Sequence, residues 1–131
     1  MKTNLFLYIS LLILSSCGYH QDKLVIVNNT NDTICYGTLT FDTVDEIYYS
    51  VSGDGEINPH GKSSPPTRGT IEFNIQDRNA DGNLYMMYFS TKDRDGVYKD
   101  IDKAVKSGKF KVEKYTSEGL NKQNWVVTNS E

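Results

Sequence analysis

Leu84-Tyr85-Met86-Met87-Tyr88-Phe89 is the stretch on which the fold turns. Six large apolar or aromatic residues follow one another without a charge. The run is too short for a buried helix, and its side chains are apolar at both odd and even positions. A strand of that kind has no solvent face, so it must be central, with layers packed on both of its sides.

Working outward towards the C-terminus, the polar break at 93–96 gives way to Val97, Ile101, Ala104 and Val105 at helical spacing with charges between them. That pattern predicts a short amphipathic helix, which Gly108 is placed to end. Residues 109–115 alternate, with Phe110 and Val112 inward, and predict a strand. Thr116 or Ser117 can cap a helix of one or two turns containing Leu120. Trp125-Val126-Val127 predicts a last strand.

Towards the N-terminus, 77–83 is polar and predicts a turn. Residues 70–75 show the cleanest alternation in the chain, with Ile71, Phe73 and Ile75 on one side and Thr70, Glu72 and Asn74 on the other, and predict a strand. All three prolines fall in 58–69, a surface loop. Residues 46–52 and 33–41 predict two further strands, the first ended by Gly53-Asp54-Gly55 and the second preceded by the turn-rich 28–32. Leu24-Val25-Ile26-Val27 predicts a strand covered on both faces. Seven short strands with one or two short helices imply a mostly-β, sandwich-like single domain. An α+β arrangement of helices on one sheet is the alternative.

The first seventeen residues read differently. Lys2 precedes an apolar run over 5–14, the pattern of a secretory signal. The run is too short to span a bilayer, which needs roughly 20 helical residues. Leu14-Ser15-Ser16-Cys17 resembles the lipobox of bacterial lipoproteins: an aliphatic residue, two small residues, then a cysteine. The resemblance implies cleavage before Cys17 and acylation of its sulfur, and two or more acyl chains hold a protein stably at a membrane. Residues 1–16 are then a signal peptide, 17–23 a lipidated polar tether, and 24–131 the domain. Gly18 follows the cysteine where an inner-membrane retention signal has Asp, which favours the outer membrane. Without 1–16 about 115 residues remain, with 13 basic against 17 acidic side chains and a net charge of −4. No basic stripe marks nucleic acid as a partner. Cys35 is left as a single thiol in an apolar alternating stretch, which predicts a buried core residue rather than a reactive one.

The tail carries a second resemblance. Lys114, Tyr115, Thr116, Glu118, Leu120, Asn124 and Trp125 match a layout found at the ends of small Bacteroidetes lipoproteins: a strand ending in a basic residue and Tyr, a hydroxyl residue, a short helix with Leu, then Asn-Trp and an apolar strand. Gly119 inside the helix and Lys in place of Arg before the Tyr depart from it. The resemblance implies an organism group and an address in the cell envelope. It implies no activity. Asp32-Thr33-Ile34 and Asp42-Thr43-Val44 resemble the O-glycosylation acceptor of the same group, making Thr33 and Thr43 candidate glycan sites.

Few residues suggest chemistry. Asp77-Arg78-Asn79-Ala80-Asp81-Gly82 matches the first half of a calcium loop, with oxygen ligands at Asp77, Asn79 and Asp81. The twelfth position is Tyr88 rather than Glu, and strands are expected on both sides. A polar hairpin turn is therefore the favoured reading and a weak calcium site the alternative. Tyr48, Tyr49, Tyr85, Tyr88, Tyr98, Tyr115 and Trp125 could stack on sugar rings, but a domain with few leucines needs most of them for its core. His20 and His60 stand alone, and no phosphate loop, nucleophile elbow or metal-ligand spacing appears. The sequence thus points to a membrane-anchored, non-enzymatic binding or structural module of the bacterial envelope, with a calcium-stabilised or glycan-binding accessory of a surface complex as the alternative and no other cofactor expected.

Overall fold

A computed structural model describes residues 20–21, 23–50, 54–67 and 70–130. Residues 1–16, expected to be a signal peptide, and Cys17 lie outside them.

The central strand forms as its composition requires. It spans Asn83–Ser90 and is hydrogen-bonded on both edges. On one side lies Ile34–Asp42, with Tyr36 opposite Tyr88 and Leu39 opposite Tyr85; on the other lies Lys111–Thr116, with Met87 opposite Val112. The long strand Ile34–Asp42 has two partners along its far edge. Ile47–Ser50 pairs with its second half and Gly55–Ile57 with its first. All pairings in this five-stranded sheet are antiparallel.

In chain order we call the strands β1 (His20–Gln21), β2 (Val25–Asn28), β3 (Ile34–Asp42), β4 (Ile47–Ser50), β5 (Gly55–Ile57), β6 (Lys62–Ser63), β7 (Pro66–Thr67), β8 (Asn83–Ser90), β9 (Lys111–Thr116) and β10 (Val126–Asn129). The helices are α1 (Ile71–Arg78), α2 (Arg94–Lys99), α3 (Ile101–Lys106) and α4 (Ser117–Lys122), with a 3-10 turn at Thr91–Asp93. The protein is mostly β, a sandwich-like domain in which a second, three-stranded sheet in the order β10-β2-β6 packs on the five-stranded one.

Strict alternation along β3 and β8 sends side chains to two cores. Ile34, Tyr36, Leu84, Met86 and Tyr88 meet Ile26 and Val127 of the small sheet, together with Leu24, Ile71, Ile75, Leu120 and Trp125. Cys35, Leu39, Tyr85, Met87 and Phe89 face the other way, against Val97 of α2 and Ala104 of α3. Phe110 and Val112 pack on this second core. The central sheet is therefore covered on both faces, by strands with α1 and α4 on one and by α2 and α3 on the other.

The small sheet joins the two ends of the domain. β10 runs parallel to β2, Val126 beside Val25 and Asn129 beside Asn28, and β2 pairs antiparallel with β6. Val25 and Val27 are only half-buried while Leu24, Ile26 and Asn28 are buried. The expectation that this strand is covered on both faces is corrected: it belongs to an outer layer. Asn28 closes it with its side chain. Its Oδ1 accepts from Thr30 N and Oγ1 at 3.0 and 2.8 Å. Its Nδ2 donates to the carbonyls of Asp32, Ile57 and Asn58.

The strand expected over 70–75 is a helix. Ile71 and Ile75 lie four apart, so they share a face in either conformation, and both are buried. Only Phe73 separates the two readings, and it is 62% exposed on the outer side of α1. The decisive signals are at the ends. Thr70 is the N-cap, its Oγ1 accepting from Phe73 N at 3.2 Å, Glu72 stands in the first turn and Arg78 in the last. These favour a helix through the cap and the helix dipole.

Smaller corrections follow. The amphipathic helix expected over 97–105 is two helices, broken at Asp100 (φ −157°, ψ 88°), whose Oδ1 caps α3 by accepting from Lys103 N at 3.0 Å. Gly108 (φ +68°) does end the layer. Within the segment expected to be a tether, His20 and Gln21 pair with Thr67 and Pro66. Thr116 caps α4 as expected, accepting from Gly119 N at 3.0 Å. Among the described residues no helix is long and apolar enough to cross a membrane.

Candidate functional site

The helical layer carries the charged concavity of the protein. Six basic side chains occur over 91–109, and α2 and α3 display four of them because Val97 and Ala104 hold one face of each helix against the sheet. The layer is also strapped to the strands by polar contacts. Arg94 Nη1 donates to Glu56 Oε1 at 2.5 Å, the Tyr98 hydroxyl donates to Asp54 Oδ2 at 2.7 Å, and Tyr48 N donates to Asp102 Oδ1 at 3.0 Å. Burial and the neighbouring Asp54 carboxylate push the Tyr98 hydroxyl well above its usual range, so it stays a donor.

Between the 3-10 turn, α2, α3 and the start of β9 lies an open groove of about 540 Å³. Lys92, Lys99, Lys103 and Lys109 line it, with Asp93 and Asp100, and Ala104 and Phe110 give it an apolar wall. Both carboxylates are engaged. Asp93 accepts from Lys109 Nζ at 2.5 Å, which holds its carboxyl below the usual range, and Asp100 caps α3. The ammonium groups of Lys92, Lys99 and Lys103 form no ion pair among the described residues. The remaining cation, Lys109, also lies 5.1 Å from the Phe110 ring. The groove therefore carries more positive than negative side chains, four lysines against two aspartates.

The residues that the sequence singled out lie elsewhere. Asp77 is an exposed residue of α1, so the polar hairpin turn expected between two strands is absent. Asn79 is buried and spent on β3: its Oδ1 accepts from Phe41 N at 2.7 Å. Asp81 accepts from the Tyr85 hydroxyl at 2.6 Å and pairs with Lys114 Nζ at 3.1 Å. Partial burial works to raise the Asp81 carboxyl, but hydrogen bonds from Tyr85, Asn83 and Lys114 outweigh it and hold it at about 2. The oxygens of Asn79 and Asp81 thus serve the protein itself. Among the described residues no group of three or more His, Cys, Asp or Glu side chains is placed to hold a metal ion.

The aromatic residues mostly build the core. Tyr88 and Trp125 are buried, and Phe41, Tyr48 and Tyr85 pack on one another with ring centroids 4.7–5.9 Å apart. Tyr49 and Tyr98 are the exposed members of the set. Tyr115 donates to Glu113, which also pairs with Lys111 at 3.0 Å. Beside them burial, then the Glu113 charge, raise the buried Tyr88 hydroxyl far above its usual range. Cys35 is buried as expected, its thiol pushed up by that burial. Of the candidate glycan sites, Thr43 is exposed in the turn between β3 and β4, and Thr33 is half-buried just before β3.

Sequence reasoning missed the groove. The available signal was Lys99 and Lys103, four apart and so on one side if a single helix carried both. In the sequence they stand only as charges between the apolar positions of an amphipathic helix. What sequence alone does not give is the concavity made by breaking that helix at Asp100 and bringing Lys92 and Lys109 to it from the flanking turns.

Comparison with known proteins adds no further constraint: no protein family, curated protein or solved structure matches this chain.

Proposed function

We propose that the protein is a lipid-anchored module of the bacterial cell envelope, held at the outer membrane through Cys17, which binds a partner rather than transforming it. The observation that carries this reading is the sequence Leu14-Ser15-Ser16-Cys17 at the end of an apolar run, followed after only two residues by the first paired strand, β1. A chain of three residues reaches about 10 Å at most, so a lipid on Cys17 would hold the folded domain close to the bilayer. The resemblance of the tail to small Bacteroidetes lipoproteins supports the same address. The lysine-lined groove supports a binding role.

The test is mass and partition. Expressed in a Gram-negative host, the wild-type chain is expected to lose residues 1–16, to carry a diacylglyceryl mass on Cys17, and to sediment with membranes. Cys17→Ala is expected to lose both the lipid mass and the membrane fraction. A wild type cleaved elsewhere and recovered soluble would end this reading.

A further inference from the structure

The groove of the helical layer faces away from the point where the chain enters the domain. Leu24 and Trp125, over whose ring Lys23 lies at 4.0 Å, belong to the core on one face of the central sheet. Val97 and Ala104, which seat the groove, belong to the core on the opposite face. We infer that the groove is a binding site for a soluble, multiply charged phosphate compound, presented to the aqueous phase on the side of the domain turned away from its own membrane. The orientation rests on the proposed anchor at Cys17. The site itself does not.

Three features select the ligand. The groove is lined by four lysines against two aspartates in a chain whose net charge after loss of 1–16 is −4, so it is a local positive field on an acidic body. Its cations are lysines with no arginine among them. Lysine offers a movable point charge of the kind that binds phosphate without fixed bidentate geometry. Its volume of about 540 Å³ lies in the range of small-molecule sites and exceeds the needs of one phosphate. Three ammonium groups without ion-pair partners can therefore meet more than one anionic group on the same ligand. The apolar wall at Ala104 and Phe110 leaves room for the carbon part of a phosphate ester.

Calorimetric titration of inorganic pyrophosphate into the full chain, in neutral detergent at low ionic strength, tests this. Saturable one-site binding is expected, weakening as salt screens the lysines. Joint replacement Lys99→Ala with Lys103→Ala should weaken it by about tenfold or more. Lys122→Ala, which alters a pair on α4 away from the groove, should leave it unchanged. A second variant guards against trivial unfolding. Gly96 lines the groove, has an ordinary backbone conformation, and an added Cβ meets no atom within 4 Å. Gly96→Glu therefore puts a carboxylate at the groove without a clash at its Cβ and should abolish binding with an unchanged circular dichroism spectrum. Absence of pyrophosphate binding overturns the inference, as does equal loss in Lys122→Ala, which would mean diffuse surface charge. Binding of phosphatidylglycerol vesicles through Lys99 and Lys103, with none of pyrophosphate, would make the groove a headgroup surface and overturn it too. Cys17→Ala should bind pyrophosphate like the wild type, so failure of the anchor would remove the orientation and leave the site standing.

Discussion

The two faces of the central sheet are covered in different ways. One face meets a sheet and two helices drawn from both ends of the chain, with Ile26, Met86 and Leu120 wholly removed from solvent and β2 beside β10. The other meets two helices of six residues each, seated on Val97 and Ala104, half-covered by Ile101 and Val105, and strapped down by Arg94, Tyr98 and Asp102. The first face gains its stability from long-range apolar burial. The second has a smaller buried core around Leu39, Met87, Phe89 and Val97, and adds exposed ion pairs and hydrogen bonds, which contribute little each. Stability and display are thus separated across one sheet: the dry side holds the domain together, and the charged side is free to carry a groove.

The largest effect that could break this comparison is at Trp125. Its indole is buried in the first core, its Nε1 donates to Asn121 Oδ1 at 2.7 Å, and its backbone is left-handed (φ 59°) directly after Asn124 (φ 52°). Two consecutive left-handed residues turn α4 into β10, and burial of the ring, with Trp125 N donating to Leu120 O at 2.7 Å, holds so bulky a residue there. Trp125→Ala should cost about 3–5 kcal/mol, lost globally. Chemical denaturation followed by circular dichroism measures it. A loss below about 1 kcal/mol would show that the chain ends are not what closes the first core.

On the other face, Val97→Ala should cost about 1.5–2 kcal/mol for the methyl groups removed. The sharper expectation is where the loss appears. Native-state hydrogen exchange should show faster opening of 94–106 while the amides of β8 keep their protection. Equal acceleration of both would mean that the helical layer and the sheet form one cooperative unit.

The legible parts of this fold share one property: their side chains and their local propensities agree. Leu84 to Phe89 reads as a central strand because both of its faces are apolar. Thr116 reads as a cap because Ser117 to Lys122 follows with Leu120 at its centre. Residues 70–75 fail for the opposite reason. Ile71 and Ile75 satisfy period two and period four alike, and Phe73 takes an exposed place that an inward-facing strand position would not have given it. The hairpin-turn reading of 77–83 fell with that strand, since Asp77, Asn79 and Asp81 are spread over a helix, its end and a turn. The parallel pairing of β2 with β10, and the groove itself, depend on contacts between residues far apart in sequence, where no local pattern reaches.

Capping gives a finer comparison. Thr116→Ala removes the acceptor at the start of α4 on the first face, and Asp100→Ala removes the one at the start of α3 on the second. Each should cost about 1 kcal/mol in its own helix. The first loss is expected in full in the global unfolding free energy, because Leu120 ties α4 to the core. The second is expected chiefly as faster exchange over 101–106. If Asp100→Ala lowers global stability as much as Thr116→Ala does, the division between the faces is less sharp than the packing implies.

The smallest effect is the pH dependence of the second face. Asp81 lies at the foot of β8, accepting from Tyr85 and paired with Lys114, and its carboxyl is held at about 2 against an unfolded value near 3.8. A carboxyl depressed in the folded state binds its proton more readily once unfolded. Its contribution is therefore complete above about pH 4 and falls away as the pH drops through the folded value. Asp81 is partly exposed, so solvent screening keeps this contribution under about 1 kcal/mol. Unfolding free energies between pH 5 and pH 2 should show a decline that Asp81→Asn reduces and Tyr85→Phe makes shallower. Ionic strength separates the two partners. Salt should weaken the share due to Lys114 and leave the share due to the Tyr85 hydroxyl. A decline unchanged in Asp81→Asn would assign the acid sensitivity to other carboxylates of the helical layer. Asp93 and Asp102, each lowered first of all by a hydrogen bond from a lysine, would be the next to replace.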